Sequence, residues 1–182
     1  IDGQGRCLGG VVAGAKQHVD EVLGFIRSAG PSMSPFNAWV LLKSLETMEM
    51  RVERMNSNAQ EIAEYLETHE NINWVRYPGI GSHPQFKIAR SQMSGGGTTI
   101  GIEFVGSKKD AFKFMDSLRI IDISANLGDS KSLITHPAST THRRLSPEVQ
   151  AEMGITPSVV RLSVGLEHVD DLIKDLTQAF NN

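Results

Sequence analysis

The chain has 182 residues, with 18 Lys and Arg against 21 Asp and Glu for a formal net charge of −3, a balance that gives no pull toward nucleic acid or an anionic membrane. With 40% apolar residues and 17 glycines it has the composition of a folded globular chain, which excludes disorder as its main state, and its short apolar runs fall well below the ~20 residues of a membrane-spanning helix. One cysteine, Cys7, excludes an intrachain disulfide and the cysteine-rich zinc patterns and fits a reducing, cytoplasmic setting.

The chain opens on Ile1 with neither the charged head nor the apolar core of a signal peptide, and reads as cut from something longer. The first 30 residues hold seven glycines, and Gly9-Gly10-Val11-Val12-Ala13-Gly14 reads as a buried strand with backbone close to a neighbour. At Ser34 the character changes. Ser34 is an N-cap and Pro35 stands at the first helical position, where its missing N–H costs nothing. From there Leu41, Leu45, Met48, Val52, Met55, Ala59, Ile62 and Leu66 recur in steps of four and three, one stripe on one helix face to about His69. A continuous helix of that length spans ~50 Å against ~30 Å for a small domain, so it is expected to bridge two bodies. Read instead as a coiled-coil seam, the stripe makes the chain a non-catalytic interaction fragment. Trp39, Val40 and Met50 lie off the stripe, as in a helix covered on more than one side.

Strands and helices then alternate. Residues 71–77 read as a strand, and 98–105 as another with Ile100, Ile102 and Phe104 on one face and Gly101 and Glu103 on the other. Ser107 and Asp110 form a capping-box start to a helix with Ala111, Met115 and Leu118 on its apolar side. Further strands are expected at 119–123 and 159–164, and a last helix at 168–180 aligns Val169, Leu172, Ile173, Leu176 and Phe180. The expected fold beyond residue 69 is an α+β domain.

Several motifs fail. Gly3, Gly5 and Gly9 do not make a dinucleotide loop, because Leu8 stands where the third glycine belongs. His18, His69, His83, His136, His142 and His168 lack the HExxH spacing and thiolate partners of a zinc site and read as surface or loop residues. Cys7 has no recognisable base beside it and reads as buried filler. Asn126-Leu127-Gly128-Asp129 is either a solvated turn or an amide-bearing loop at a site. His136-Pro137 and Thr140-Thr141-His142-Arg143-Arg144 bring polar and cationic groups within short reach of it, or form a plain charged loop. Arg161 is more suggestive: it interrupts a strand whose Val160, Leu162 and Val164 make the apolar face. It pairs either with a structural carboxylate or with the carboxylate of a ligand.

The stretch SANLGDSKSLITHPASTTH (124–142), followed by VRLSVGLEHVDDLIKDLTQAF (160–180), resembles the pyridoxal-phosphate enzymes of cysteine and methionine metabolism. Tyr77-Pro78-Gly79, Ser82-His83-Pro84-Gln85 and the helix around Pro35-Phe36-Asn37-Ala38-Trp39 resemble the same family, and the likeness covers the whole chain. The resemblance implies an α/β fold of the aspartate-aminotransferase type (fold-type I): residues 1–33 as the tail of the large cofactor domain, 34–69 as the long connecting helix, and 70–182 as the C-terminal α+β domain. It implies pyridoxal 5′-phosphate (PLP) as cofactor, bound mainly by an N-terminal part of the same enzyme. The Schiff-base lysine is expected just ahead of Ile1, so that these residues are not expected to catalyse alone. It further implies a cytoplasmic homotetramer. By resemblance Arg161 binds the substrate α-carboxylate, Asn126 stands where γ-lyase relatives carry a serine, Ala125 leaves room for a bulky leaving group, and Thr141 borders the same pocket. The Asn-Leu-Gly-Asp and His-Pro-Ala-Ser-Thr-Thr-His forms are most similar to the sulfhydrylases, which convert O-succinyl- or O-acetylhomoserine and sulfide into homocysteine by γ-replacement. Cystathionine γ-synthase or γ-lyase activity is the alternative on the same scaffold.

Overall fold

The computed structural model describes residues 1–181. No strand forms at 9–14: Leu8, Val11 and Val12 are 87%, 76% and 62% exposed, and no strand among the described residues pairs with the segment. Three glycines in six residues leave too little side chain to hold a ladder. The opening residues are held instead by Asp2, whose carboxylate accepts from the backbone N–H (2.6 Å) and Nε (2.7 Å) of Arg6, while Arg6 Nη2 reaches Ser44 Oγ at 3.0 Å. The following helix, α1 (Lys16–Ala29), carries Val19, Val22, Leu23 and Ile26 at helical spacing and ends on Gly30, left-handed at φ 83°. The glycine content around it hides that periodicity.

Ser34 caps α2 (Pro35–Leu45) as expected, accepting from Asn37 N at 3.1 Å. The long helix is not continuous, however. A turn at Glu46 and Thr47 separates α2 from α3 (Met48–Glu67). One turn ahead of the break, Ser44 Oγ bonds back to the Val40 carbonyl at 2.8 Å, a contact that competes with the helical ladder. The chain divides into two compact units, Ile1–Glu49 and Met50–Asn182, with the division in the first turn of α3. The reason is burial: Met55, Ala59, Ile62 and Leu66 are enclosed within the second unit's own core. A coiled-coil seam needs those residues facing outward, so the stripe is not one.

The second unit is built on a five-stranded sheet comprising β1 (Ile72–Arg76), β2 (Thr99–Phe104), β3 (Asp122–Ile123), β4 (Leu133–Thr135) and β5 (Val159–Ser163), ordered β1-β2-β5-β4-β3. All neighbours are antiparallel except β3 and β4. Helices α4 (Phe86–Gln92), α5 (Lys108–Ser117), α6 (Pro147–Glu152) and α7 (Val169–Phe180) complete it. Directly opposed residues share a face. Val75, Ile102 and Val160 make one row and Ile100, Leu162 and Ile134 another, both buried against the apolar sides of α3, α5 and α7. The opposite face carries the row Gly101, Arg161, Thr135.

Buried polar groups fix the connections. Ser107 and Asp110 form the expected capping box of α5. The strand expected at 119–123 shrinks to Asp122–Ile123 because the Asp175 carboxylate of α7 takes the amides of Arg119, Ile120 and Ile121, at 2.8, 2.9 and 3.0 Å, out of the ladder. Asn58 of α3 donates to the carbonyls of Gly165 and Glu167 at 3.1 and 2.9 Å. Glu167 in turn accepts from Ser132 N and Oγ at the entry to β4. Only glycine fits at 165, since a Cβ there comes within 2.5 Å of the backbone of Lys131 and Ser132. Burial, with the negative charge of Glu64 adding to it, pushes the Tyr77 phenol up to about 12, and its hydroxyl donates to the Gly97 carbonyl at 3.0 Å.

Asp175→Ala strips three amides, that of Ile121 buried and the other two partly so, of their acceptor and is expected to lower unfolding free energy by about 3 kcal/mol, measured by urea denaturation.

Candidate functional site

Arg161 sits at the centre of β5, the middle strand of the sheet, on the face away from the helices. Its cross-strand neighbours, Gly101 and Thr135, offer it no charge. Nη2 donates to the carbonyls of Ala125 (2.8 Å) and Asn126 (3.1 Å). The Nε–H is buried and has no acceptor. Among the described residues no carboxylate forms an ion pair with this side chain. Of the two partners open to Arg161 from sequence, the structural carboxylate is therefore absent. Burial pulls the guanidinium below its ordinary pKa.

The loop that meets Arg161 is pinned to the sheet at both ends. Ser124 N donates to the Ile134 carbonyl at 3.0 Å, and Gly128, left-handed at φ 70°, donates its N–H to Ser163 Oγ at 2.9 Å. Ser163 lies two residues along β5 from Arg161 and on the same face. Asp129 closes the turn by accepting from Lys131 N at 3.1 Å.

A second loop follows β4. His136 is buried; its Nδ1 accepts from Ser139 N at 3.2 Å while Nε2 meets the Pro157 carbonyl at 2.9 Å, which assigns a neutral ring protonated on Nε2. Thr140 Oγ1 donates to the His136 carbonyl at 2.8 Å, and Thr141 Oγ1 pairs with His142 Nδ1 at 2.8 Å. From α6, Gln150 Nε2 donates to the His142 carbonyl at 2.9 Å and reaches those of Ala138 and Leu145 at 3.4 Å. The result is an open depression of about 430 Å³ lined by Ala125, Ser139, Thr140, Thr141, Arg143 and Arg144.

The structure thus brings the four candidates together in pairs: Arg161 on the backbone of Ala125 and Asn126, and Ala125 with Thr141 around one depression. Asn126 reaches Arg161 through its backbone carbonyl and donates its backbone N–H to Ser124 Oγ at 3.3 Å, while its exposed side-chain amide makes no hydrogen bond among the described residues. Ser163, His136 and Gln150 were not singled out from sequence as positioning residues. Only the His-Pro dipeptide gives any local signal. No three His, Cys, Asp or Glu among the described residues gather to hold a metal ion, and no described helix is long and apolar enough to cross a membrane.

A two-layer unit of this kind, a sheet with helices packed on one face, is shared with solved fold-type I PLP enzymes. The chain belongs to the Cys/Met metabolism PLP-dependent enzymes, whose pattern it matches over residues 1–181. It is 53% identical over 187 residues to the O-succinylhomoserine sulfhydrylase of Mycobacterium tuberculosis, an alignment covering all of this chain and 46% of that protein. Cystathionine gamma synthase from Xanthomonas oryzae pv. oryzae, solved in complex with aminoacrylate and cysteine, superposes with a TM-score of 0.93 at 34% identity over 99% of this chain and 47% of that one. A Campylobacter jejuni chain described as an O-acetylhomoserine (thiol)-lyase, carrying a pyridoxyl-lysine phosphate, gives a TM-score of 0.85 at 38% identity over 90% of this chain and 39% of that one. The chain spans about half the length of the curated relatives it matches.

The family's cofactor is PLP. The donors here fit the amino-acid side of that group: a buried N–H without an acceptor, on a side chain that already has its other end anchored, suits the carboxylate of a bound amino acid.

Gln150→Ala is expected to cost about 1 kcal/mol locally and to speed amide hydrogen exchange over 138–145 while leaving β5 unchanged.

Proposed function

We propose that these residues form the substrate-carboxylate side of a PLP-dependent sulfhydrylase that makes homocysteine from O-succinylhomoserine, or its O-acetyl counterpart, and sulfide by γ-replacement in methionine biosynthesis. On this reading it works as a cytoplasmic homo-oligomer, a tetramer. The observation that carries it is the unpaired, buried Nε–H of Arg161. A substrate α-carboxylate supplies the missing acceptor while Nη2 stays on the Ala125 and Asn126 carbonyls, so the guanidinium is already oriented before the amino acid arrives. PLP, when bound, supplies the electron sink that makes protons at Cα and then Cβ acidic.

The chain's own residues do the positioning. Arg161 fixes the carboxylate and with it the direction of the Cα–H bond. Ala125, with a single methyl, leaves space for the acyloxy group, which departs as a carboxylate while sulfide takes its place on Cγ. Thr141, tied to His142, borders that space. The sulfhydrylase reading is supported by 53% identity to an O-succinylhomoserine sulfhydrylase, against 34% to a cystathionine gamma synthase. A second reading, cystathionine γ-synthase or γ-lyase action, is supported by the likeness to a structure holding cysteine.

In the PLP-loaded holoenzyme, Arg161→Lys is expected to raise KM and to lower kcat/KM 10- to 1000-fold, roughly 1.4–4 kcal/mol, because lysine has neither an Nε–H to meet the carboxylate nor a second nitrogen to hold the 125–126 carbonyls. Unchanged kinetics remove Arg161 from the site. Offered sulfide and cysteine in competition, the holoenzyme is expected to form mainly homocysteine. Efficient cystathionine formation instead favours the second reading.

A further inference from the structure

Carboxylate binding at Arg161 leaves two other cations of the same site unused. Arg143 and Arg144 line the depression that Ala125 borders, and Ala125 is the residue whose carbonyl holds the Arg161 guanidinium. Depression and arginine therefore share a wall. Both side chains are exposed, and neither makes a hydrogen bond or ion pair among the described residues. Other cations of this unit do find acids, as Lys131 finds Asp122 and Lys174 finds Asp171.

The backbone beneath the pair is nevertheless held. Gln150 reaches the carbonyls of His142 and Leu145, the residues on either side of the two arginines. Two backbone bonds tighten the same turn, Arg143 N to the Thr140 carbonyl at 3.4 Å and Leu145 N to the His142 carbonyl at 3.0 Å. A solvated surface pair has no need of such a mount. A pair presented to a ligand does, because each contact then costs less ordering. The volume, about 430 Å³, is that of a small-molecule cleft.

We propose that Arg143 and Arg144 form a second anion subsite, which binds the terminal carboxylate of a dicarboxylic acyl group on the substrate. This rests on the sulfhydrylase reading and deepens it, since it selects the succinyl ester. O-succinylhomoserine carries a carboxylate at each end, whereas the acetyl ester carries only the α-carboxylate, for which Arg161 alone suffices. Two arginines in the lining of the depression match the second carboxylate in charge and in the fork geometry of the guanidinium. Pinned at both ends, the ester lays its Cγ–O bond across the small side chain of Ala125.

The test uses the PLP holoenzyme with Arg143→Ala, Arg144→Ala, the double alanine variant and the double lysine variant. All four changes fall on exposed side chains and leave the core intact. Calorimetric titration with succinate, and with butyrate as the single-carboxylate control, reads the subsite without turnover. The double alanine variant is expected to weaken succinate about 10- to 100-fold and butyrate less than about twofold, with partial recovery in the double lysine variant. The ratio of kcat/KM for the succinyl over the acetyl ester is expected to fall by the same factor. Unchanged succinate affinity, or an equal loss for succinate and butyrate, overturns the proposal. A holoenzyme that makes homocysteine from neither ester overturns the sulfhydrylase reading, while the succinate titration still decides the subsite.

Discussion

One guanidinium, set in the best-anchored strand of the sheet and denied a counter-charge, governs the rest of this unit. β5 is paired with β2 over its whole length and with β4 from Arg161 to Ser163, so the Arg161 backbone is held from both sides. Its neighbours across the ladder are a glycine and a threonine, and carbonyls of the 125–126 loop engage one terminal nitrogen only. Leaving a buried donor without an acceptor costs about 1–3 kcal/mol, which the apolar face of the same strand must offset. On the proposed reading, a bound carboxylate relieves that cost by supplying the missing acceptor.

The helix-facing half of the sheet makes this possible. Val160, Leu162 and Val164 bury fully against α3, α5 and α7, and strict alternation then obliges Arg161 and Ser163 to face the other way. From Asn58 of α3 a chain of hydrogen bonds runs through Gly165 and Glu167 to Ser132, fixing the end of β5 relative to the start of β4. The 124–132 loop is thereby stretched between two fixed strands, with Gly128 fastened to Ser163. Core, strand register and loop position are thus successive consequences of one pattern of apolar residues.

That pattern is what the sequence makes legible. Alternation in 98–105 and 159–164, the Ser107–Asp110 cap and the 169–180 stripe all encode local structure in adjacent side chains, and each stands where it was expected. The misreadings share a different cause. The interruption between α2 and α3 leaves no mark on the four-three stripe, which runs through it, and the shortened β3 depends on a carboxylate more than fifty residues away. β4 is three residues long, too short to show a period, and the strand expected at 9–14 has backbone flexibility in place of side-chain surface. Arg161 stood out as a charge inside an apolar strand. Asn126 and Thr141 showed only as members of polar loops and Ala125 not at all, their places at a pocket coming from family resemblance, because Ala125 and Asn126 meet Arg161 through carbonyls that every residue possesses.

The strongest reason to treat the unpaired Nε as functional lies in its contrast with the other buried polar groups. Asn58, Ser132, Thr135, His136, Ser163 and Asp175 are all buried, and each has a well-placed partner. Loose packing produces several unsatisfied atoms scattered through a core. Here the Arg161 Nε is the one buried side-chain donor without a partner among the described residues. Its other end is held by two carbonyls, and an open depression begins at one of them. A fold that satisfies its other buried side-chain groups and leaves this one cationic donor open, beside a loop that borders a depression, gives the proposed carboxylate contact its physical basis.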